Sequence, residues 1–503
     1  MNIGARDLFL ISPELALVAL AIVVVAIDLV VRRKGIVIAV AVVGLLAPTI
    51  AAVSVWNDIR TTGVEMAFNG ALVVDEFALY FKFLTLVVLA LLFMSSSDYA
   101  SRFQPFQAEF FGLLLFSSAG LMLLPAAGDL ITVYISLELA SLPVIALVAY
   151  NKAQLESTEA GLKYLVLSVV SSAVLLYGFA FLYGATGTLR LVSFDPGNPA
   201  IGHMLINGDP SIPFGGVPVM VGIVLAVAGF GFKLSIVPFQ MWTPDVYEGA
   251  PTPVAAYLAV ASKAAAFAVV LRVFYSGLDS AATDWSLMFA VLAAITMTVG
   301  NVVAIAQSNV KRLLGYSAIA QAGYMLVGVA AYVGSGVGAR SGAELGIESV
   351  LFYLAGYAAM NLTAFFAVMA ISNRTSDDTI EGLAGMGRRA PMLAAVLALA
   401  LLSLTGIPPT VGFIGKLFLF NAAINADLVW LAVIGVLNSV VSAYYYVGIV
   451  RVMYLREPDS PARISVPPHA LAALAVAAAG ILVLGLWPGG LLEVARQAAL
   501  DLL

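Results

Sequence analysis

The sequence predicts an all-α, polytopic membrane protein with about fourteen transmembrane helices. Of its 503 residues, 62% are hydrophobic and only 11% are charged, whereas about a quarter of the residues in a soluble domain are charged. The mean hydropathy of +1.03 is too high for a water-soluble globule. Apolar runs of roughly 20 residues, the length that crosses a bilayer, recur along the chain. These observations place most of the chain inside a membrane.

Glycine, proline or charged residues bound the apolar runs and so delimit the predicted spans. The spans cover 9–31, 35–56, 76–95, 107–126, 129–150, 157–185, 217–240, 252–276, 286–307, 312–333, 346–372, 391–421, 427–454 and 469–487. The first span is too long for a signal-peptide core, and its basic cluster follows the apolar run, so we expect it to stay attached. The final segment, 491–503, is expected to form a short surface helix.

Basic residues predict the orientation of the chain. The loops after helices one, three, five, nine, eleven and thirteen share a side, and they hold Arg32, Arg33, Lys34, Arg102, Lys152, Lys311, Arg312, Arg374, Arg388, Arg389, Arg456 and Arg463. The opposite loops hold Arg60, Arg190 and Arg340. Basic loops favour the cytoplasm, so both termini are predicted to lie outside. The loop after helix seven departs from this pattern, because it carries Asp245 and Glu248 and no basic residue.

Two predicted spans, helices seven and twelve, are interrupted by proline. The first interruption lies within 233–244 and the second within 404–416. Proline lacks an N–H and clashes with the preceding turn, so each helix is expected to unwind and leave free backbone groups in the membrane. The alternative is that these prolines only kink packed helices.

The two interruptions are five spans apart, which suggests two five-helix repeats. Helices four to eight (107–276) form the first repeat, and helices nine to thirteen (286–454) form the second. Helices one to three (1–100) precede them, and a loop, helix fourteen and the tail (455–503) follow. Because five is odd, the second copy enters the membrane from the opposite side, as in the inverted repeats of transporters.

Five ionisable residues lie well inside apolar runs and are the candidate site residues: Glu138, Lys163, Lys233, Lys263 and Lys416. Each costs roughly 2.5 to 3.5 kcal/mol near a helix centre, so a use or a partner is expected. Burial can lower a lysine pKa by about 3 to 5 units, towards the range in which it exchanges protons, whereas arginine stays charged. These residues therefore suggest a proton relay in which Glu138 switches its pairing with Lys163. The alternative for each lysine is a static ion pair or a snorkelling side chain, and it is strongest for Lys163.

Other ionisable residues near predicted helix ends or on peripheral helices are expected to serve packing or interfaces: Glu14, Asp28, Lys82, Asp129, Arg272, Glu348 and Arg451. The sequence has no cysteine and only two histidines, which excludes cysteine-ligated iron–sulfur clusters and disfavours membrane-embedded haem. There is no phosphate-binding loop, because Leu417 follows Gly415-Lys416 where Ser or Thr is required. A net charge of −5 provides no basic footprint for nucleic acid.

Three motifs resemble the proton-translocating, antiporter-like family shared by respiratory complex I and multisubunit sodium/proton antiporters. They are PFQMWTPDVYEGAPTPV (238–254), KRLLGYSAIAQAGY (311–324) and GIPPTVGFIGK (406–416). The resemblance covers roughly 76–455, and the three motifs together are highly specific. Within the family, the YEGAP segment, Lys263 and a lysine rather than a glutamate at 416 are similar to a subunit of NADH-quinone oxidoreductase.

The resemblance implies roles for all five candidates. Glu138 matches the family's helix-five glutamate and Lys163 its helix-six partner. Lys233 matches the lysine of broken helix seven, Lys263 the central lysine of helix eight, and Lys416 the lysine of broken helix twelve that faces the exit or the neighbouring subunit. Gln321 is a departure, because many relatives have histidine there, so a titrating group at that corner is not implied.

The resemblance also implies a proton-translocating subunit of complex I in a bacterial cytoplasmic membrane. No cofactor is expected in this chain, and NAD, FMN, iron–sulfur clusters and quinone are expected in other subunits. The expected partners are other membrane subunits, including sibling antiporter-like subunits, together with lipid and protons, but not nucleic acid. Two alternatives remain open: a cation/proton antiporter subunit of the Mrp type, and a scaffold whose buried charges serve packing alone.

Overall fold

The computed structural model describes residues 4–31, 34–103, 106–193, 199–206, 216–332, 339–375, 377–458 and 464–503. Arg32, Arg33 and Arg463, which contributed to the predicted orientation, lie outside the described residues.

The described chain is a bundle of α-helices with one short β-hairpin. The helices are α1 (Ala5–Leu10), α2 (Ser12–Val30), α3 (Lys34–Gly44), α4 (Leu46–Thr62), α5 (Glu76–Ala100), α6 (Gln107–Leu123), α7 (Leu130–Val148), α8 (Leu155–Thr186), α9 (Ile201–Ile206), α10 (Val217–Leu234), α11 (Trp242–Gly249), α12 (Thr252–Tyr257), α13 (Lys263–Leu271), α14 (Ala282–Ala304), α15 (Val310–Ala330), α16 (Ala339–Thr375), α17 (Met386–Arg389), α18 (Pro391–Thr405), α19 (Val411–Asn425), α20 (Val429–Leu455), α21 (Pro468–Leu486) and α22 (Gly489–Leu502). The hairpin pairs β1 (Glu65–Ala67) with β2 (Leu72–Val74) in antiparallel register.

The predicted all-α membrane architecture is confirmed. Within the described ranges, thirteen helical segments are long and apolar enough to cross a membrane. The predicted twelfth span is divided into the two shorter apolar helices α18 and α19. The tail forms α22, a helix with buried alanines on one face, as expected for a surface helix.

Both predicted breaks are present, and each has a residue in the left-handed region. Helix α10 ends at Leu234 and is followed by Ser235 with φ of 63°, before the chain resumes a helix at Trp242. Helix α18 ends at Thr405 and is followed by Gly406 with φ of 96°. Only glycine adopts this region freely, which explains Gly406. The prolines after each break prevent the helix from continuing through it.

A close helix contact recurs in the two repeats and supports their correspondence. A Cβ atom added to Gly120 of α6 would lie 2.5 Å from the backbone nitrogen of Ala140 in α7. A Cβ atom added to Gly300 of α14 would lie 2.6 Å from the nitrogen of Ala320 in α15. In each repeat the backbones of the first two helices therefore come into contact at this glycine. The glycine precedes the alanine by twenty residues in both repeats.

Two fully buried ion pairs involve the N-terminal helices: one lies within them, and the other joins them to the first repeat. Lys82 of α5 lies 2.8 Å from Glu14 of α2. Arg272, in the π-helical turn that follows α13, contacts both carboxylate oxygens of Asp75 at 2.7 and 2.9 Å. Every one of these side chains is at most 3% exposed. Lys82 and Arg272 thus have packing roles, as the sequence predicted.

Candidate functional site

Lys233 lies at the C-terminal end of α10, immediately before the first break. Its side chain is buried, and Nζ donates hydrogen bonds to Ser141 Oγ on α7 at 2.7 Å and to Ser168 Oγ on α8 at 3.0 Å. The partners are hydroxyls, which both donate and accept hydrogen bonds. A proton on this amine therefore faces groups that can pass it on.

Glu138 is part of the same polar cluster. It lies on α7, one turn before Ser141, and its carboxylate accepts a hydrogen bond from Ser172 of α8. The carboxylate is also close enough to interact electrostatically with the Lys233 ammonium. Glu138 and Lys233 thus bind different serines on the same two helices: Ser172 on α8 for the carboxylate, and Ser141 on α7 and Ser168 on α8 for the amine.

Sequence reasoning missed these serines. Ser168, Ser171 and Ser172 follow a helical i, i+3, i+4 spacing in the apolar helix α8, and Ser141 lies three residues after Glu138. Residues with this spacing share one helix face. A polar stripe on an otherwise apolar helix was the available signal.

The predicted pairing of Glu138 with Lys163 is not found in this conformation. Lys163 Nζ lies 2.8 Å from Glu159 of its own helix and 2.8 Å from Asp245 of α11. The Lys163 side chain is 43% exposed. Those of Lys233, Lys263 and Lys416 are buried. Lys163 lies in the third turn of α8, whereas Ser172, the partner of Glu138, lies nine residues further along that helix, or about 13 Å.

The acidic loop that departed from the charge rule is explained by this cluster. Asp245 Oδ1 accepts a hydrogen bond from Arg312 Nη1 at 2.7 Å, and the same nitrogen lies 2.9 Å from Glu248 Oε2. Asp245 therefore joins Lys163 of the first repeat to Arg312 of the second. The predicted loop is the helix α11, and its acidic residues neutralise Lys163 and Arg312 within the protein.

Lys263 lies on α13 of the first repeat and contacts α15 of the second. It starts α13, directly after a π-helical turn at Leu258–Ser262, and it is 1% exposed. Its Nζ donates to the backbone carbonyl of Ala318 on α15 at 2.6 Å. Single-turn π-helices are frequent at functional sites, because they leave backbone groups displaced from the regular pattern.

Lys416 binds the carbonyls that the second break sets free. Its Nζ donates to the oxygens of Leu404 at 3.1 Å and Thr405 at 3.0 Å, the last residues of α18. A third bond goes to Ser439 Oγ at 3.2 Å, and the amine lies 4.2 Å from the centre of the Tyr324 ring. The expectation that unwinding would expose carbonyls near the lysine is confirmed.

One face of α15 connects Lys263 with Lys416. Ala318, whose carbonyl accepts from Lys263, lies one turn before Gln321 and two turns before Tyr324, which contacts Lys416. Gln321 Nε2 donates at 3.0 Å to the carbonyl of Leu404, the same oxygen that accepts from Lys416. Gln321 is thus a direct neighbour of Lys416, and its amide side chain does not titrate.

The three buried lysines differ from the structural cations in their partners. Lys82 and Arg272 each contact a buried carboxylate. The hydrogen-bond partners of Lys233, Lys263 and Lys416 are hydroxyl and carbonyl oxygens. Within the part of the chain that the structure describes, no carboxylate oxygen lies within 4.0 Å of these three amines.

A polar cavity of about 380 Å³ lies at the end of the bundle that carries the Asp245 cluster. Glu248, Thr252, Lys311 and Asp378 are among the residues that line it. Thr252 begins α12, and the eleven residues from there to Lys263 rise by about 16 Å along a helix. The cavity therefore opens above the helix that carries the central lysine.

If the chain carries the redox-driven proton pumping that its sequence resemblance implies, we expect the double substitution Ser141→Ala with Ser168→Ala to lower that pumping by roughly tenfold or more. Hydrogen bonds to a charged group contribute about 1.5 to 3 kcal/mol each, and this variant removes both from Lys233. Pumping is measured by the quenching of a pH-sensitive dye in membrane vesicles. Ser171→Ala is the matched control, because Ser171 lies on the same face of α8 but donates to the Gly229 carbonyl. Equal pumping by the two variants would contradict a role for the hydroxyls around Lys233.

Comparison with known proteins gives consistent results. Residues 127–442 match the family model described as NADH:quinone oxidoreductase/Mrp antiporter, transmembrane. A protein of Desulforamulus reducens named NADH-quinone oxidoreductase subunit N is 41% identical over 97% of this chain and 98% of its own length.

Two solved structures show the same architecture. A chain of respiratory complex I from Thermus thermophilus superposes with a TM-score of 0.76 and 31% identity, over 96% of this chain and 98% of that one. A chain of the Mrp complex from Dietzia superposes with a TM-score of 0.83 at 20% identity, over 100% of this chain and 98% of that one. At that identity the second match shows the fold alone.

Proposed function

This chain belongs to the family of membrane subunits shared by NADH:quinone oxidoreductase and Mrp antiporters, and from that membership we propose a proton relay through its five intramembrane charges. The family membership makes it a proton-translocating, antiporter-like membrane subunit. What is proposed is the identity of the groups that carry the proton and the way in which they are coupled. The observation that carries the proposal is that Lys233, Lys263 and Lys416 are buried and that no carboxylate among the described residues pairs with them.

Neutral partners matter because they allow an amine to lose its proton. A buried cation held by a carboxylate stays charged, since deprotonation would leave the carboxylate unpaired in a low-dielectric interior. Lys233, Lys263 and Lys416 face hydroxyls and carbonyls, which accept hydrogen bonds from either the charged or the neutral amine. These lysines thus meet the chemical requirement for reversible protonation.

The proposed proton path runs from the cytoplasmic cavity through Lys263 to Lys416, and Glu138, Lys163 and Lys233 are coupled to it by their charges. A proton enters through the polar cavity beside Glu248 and reaches Lys263 through water. Lys233 contacts α7 and α8, whereas Lys263 contacts α15, so transfer between these two lysines also requires water. The proton moves on along the α15 face to Lys416 and leaves when the charge of a neighbouring subunit changes.

Coupling between the sites is electrostatic. Two unit charges about 7 Å apart interact by roughly 2.4 kcal/mol at an effective dielectric constant of 20. That energy shifts a neighbouring protonation equilibrium by nearly two pH units. Protonation of Glu138 or a rearrangement of Lys163 therefore changes the fraction of Lys233 that is protonated. That change in turn affects the protonation of Lys263 and Lys416.

The chain is a subunit of an oxidoreductase assembly, and we propose that the electron-transfer groups are held elsewhere in it. NAD, FMN, iron–sulfur clusters and quinone are assigned to other subunits, because this chain offers no cysteine for a cluster. Other membrane subunits, including antiporter-like siblings, are the proposed partners. The proposed location is the bacterial cytoplasmic membrane, with both termini on the outer side.

The second candidate function is an Mrp-type cation/proton antiporter subunit driven by gradients alone. The shared family model and the common fold support it. The greater identity to the complex I chain favours the redox-coupled function. Sodium-dependent proton exchange by the isolated assembly, without an electron donor, would favour the antiporter.

We expect Asp245→Asn to lower the number of protons pumped per electron by about two- to fivefold, the range for a partly exposed ion pair. Asp245 forms ion pairs with both Lys163 and Arg312, so the substitution leaves Lys163 with Glu159 and Arg312 with Glu248. The measurement is the ratio of pumping to redox rate. Glu381→Gln is the control, because Glu381 forms an exposed ion pair of similar length with Arg456. An unchanged ratio in Asp245→Asn would show that the Lys163 cluster only holds the helices together.

A further inference from the structure

A second cavity, of about 580 Å³, opens between α4, α5 and α22. It lies beside the C-terminal end of α4 and the N-terminal end of α5, where these two spans leave the membrane. None of the five relay residues lines it. Its lining residues are Val53, Trp56 and Arg60 from α4, Glu76, Leu79, Tyr80 and Phe83 from α5, and Glu493, Val494 and Gln497 from α22.

The lining is divided into an apolar part and a charged part. Val53, Leu79 and Phe83 provide apolar surface deeper along the spans, and Trp56 lies at the level typical of aromatic residues at a membrane interface. Arg60 and Glu76 occupy the helix ends. This is the polarity of a site for an amphiphile, with chains against the bundle and a headgroup at the rim.

The charges at the rim favour a particular headgroup. The Arg60 guanidinium lies over the Trp56 ring at 4.8 Å, and its Nε is 3.7 Å from Glu76, too far for a hydrogen bond. Within the part of the chain that the structure describes, the guanidinium therefore keeps donors for a phosphate, the group that arginine binds in fork geometry. Glu76 and Glu493 provide two carboxylates for a cation, so the lining carries a net charge of −1, which disfavours an anionic lipid.

We propose that this cavity binds phosphatidylethanolamine, with the phosphate on Arg60 and the ammonium between Glu76 and Glu493. A primary ammonium donates three hydrogen bonds, whereas the quaternary amine of phosphatidylcholine donates none. Phosphatidylglycerol has no cation for the two carboxylates. The headgroup of phosphatidylethanolamine is thus the common phospholipid headgroup that matches both signs of charge.

The wall formed by α22 is held in place, so the cavity does not depend on the lipid for its shape. Asp501 of α22 accepts a hydrogen bond from the backbone nitrogen of Glu76 at 2.9 Å. The carbonyl of Leu502 accepts one from Ser276 at 3.0 Å. A preformed site binds its ligand without a cost of ordering the protein. The lipid would join the N-terminal helices to the C-terminal helix.

The test uses the purified complex in nanodiscs that contain photoactivatable phosphatidylethanolamine, phosphatidylcholine or phosphatidylglycerol with the same diazirine-bearing chain. Labelled peptides are identified by mass spectrometry. We expect phosphatidylethanolamine to label 53–60 and 76–83 about fivefold more than the other two lipids, the factor expected for an exposed charge pair. Equal labelling by the three lipids would overturn the proposal, as would cross-linking of a neighbouring subunit's segment at this cavity.

Two substitutions test the assignment of the headgroup. Arg60→Gln is expected to lower phosphatidylethanolamine labelling about fivefold, whereas Arg496→Gln should leave it unchanged. Arg496 is a matched control, because it is 55% exposed on α22, against 58% for Arg60, and binds Glu344 rather than lining the cavity. Equal labelling in the two variants would refute the role of Arg60.

Glu493→Gln provides a readout that does not depend on the stability of the site. It removes one negative charge, so phosphatidylethanolamine labelling should fall while phosphatidylglycerol labelling rises. A merely damaged cavity would lose both lipids. Glu344→Gln, which removes a carboxylate outside the cavity, should leave the preference unchanged. An unchanged preference in Glu493→Gln would refute the proposed place of the ammonium. These outcomes are independent of the proton relay, since no step reads out pumping.

Discussion

Replacing Lys263 with alanine is expected to abolish redox-driven proton pumping through this subunit while the complex remains assembled. Lys263 is 1% exposed, and its amine has the Ala318 carbonyl as its hydrogen-bond partner. Removal of this amine leaves no carboxylate stranded, so the cost to folding is smaller than for a buried ion pair. It removes, however, the proposed proton acceptor between the two repeats. The measurement combines dye quenching in membrane vesicles with quinone reductase activity and the subunit composition of the purified complex.

The matched control is a double variant in which Lys82→Met is combined with Glu14→Gln. Lys82 is as deeply buried as Lys263, but it forms an ion pair with Glu14 in the N-terminal helices. Removal of both charges of a buried pair is often close to neutral for stability. This control should keep its pumping. If Lys263→Ala pumped normally but yielded less assembled complex, the lysine would be a packing residue and the scaffold alternative would hold.

Replacing Asp75 with alanine is expected to destabilise this subunit by about 3 to 5 kcal/mol, the cost of removing one partner of a buried ion pair. Arg272 would then lie fully buried without a counter-ion, with the Pro125 carbonyl as its remaining hydrogen-bond partner at 3.0 Å. Asp75 also caps α5 by accepting a hydrogen bond from Ala78 N, and this contact would be lost too. The effect is measured as a lower temperature at which the chain dissociates from the complex.

The double variant Asp75→Asn with Arg272→Met separates charge from packing. Asparagine still caps the helix, and neither charge remains, so the loss should be much smaller than for Asp75→Ala. Proton pumping per electron at low temperature should be normal in this double variant, because the ion pair is not part of the proposed relay. Equal destabilisation by Asp75→Ala and the double variant would mean that the carboxylate contributes through packing alone.

Sequence patterns were sufficient for the architecture because the membrane imposes its own periodicity. Apolar runs of membrane-spanning length gave the spans, and the prolines at 238 and 408–409 gave the two breaks. The burial of Lys233, Lys263 and Lys416 also followed, since an ionisable residue in the middle of such a run has little access to water. These features depend on local composition, which the printed sequence contains.

The partners of the ionisable residues depended on which helices pack together. Lys163 was expected to contact Glu138, yet Asp245 is its neighbour, because the break after α10 directs α11 against α8. The serines that bind Lys233 lie on other helices than the lysine. The Leu404 carbonyl accepts hydrogen bonds from Gln321 and Lys416, which also lie on separate helices. No spacing along one helix specifies such contacts.

The sequence by itself determined how many times the chain crosses the membrane, where two crossings unwind and which charges are confined there, because these follow from transfer energies and proline geometry within single segments. The tertiary structure decided which of those charges are neutralised by carboxylates and which, among the described residues, form their hydrogen bonds with hydroxyls and carbonyls. That distinction separates Lys82 and Arg272 from the three relay lysines. It arises from packing between helices that are far apart in the chain.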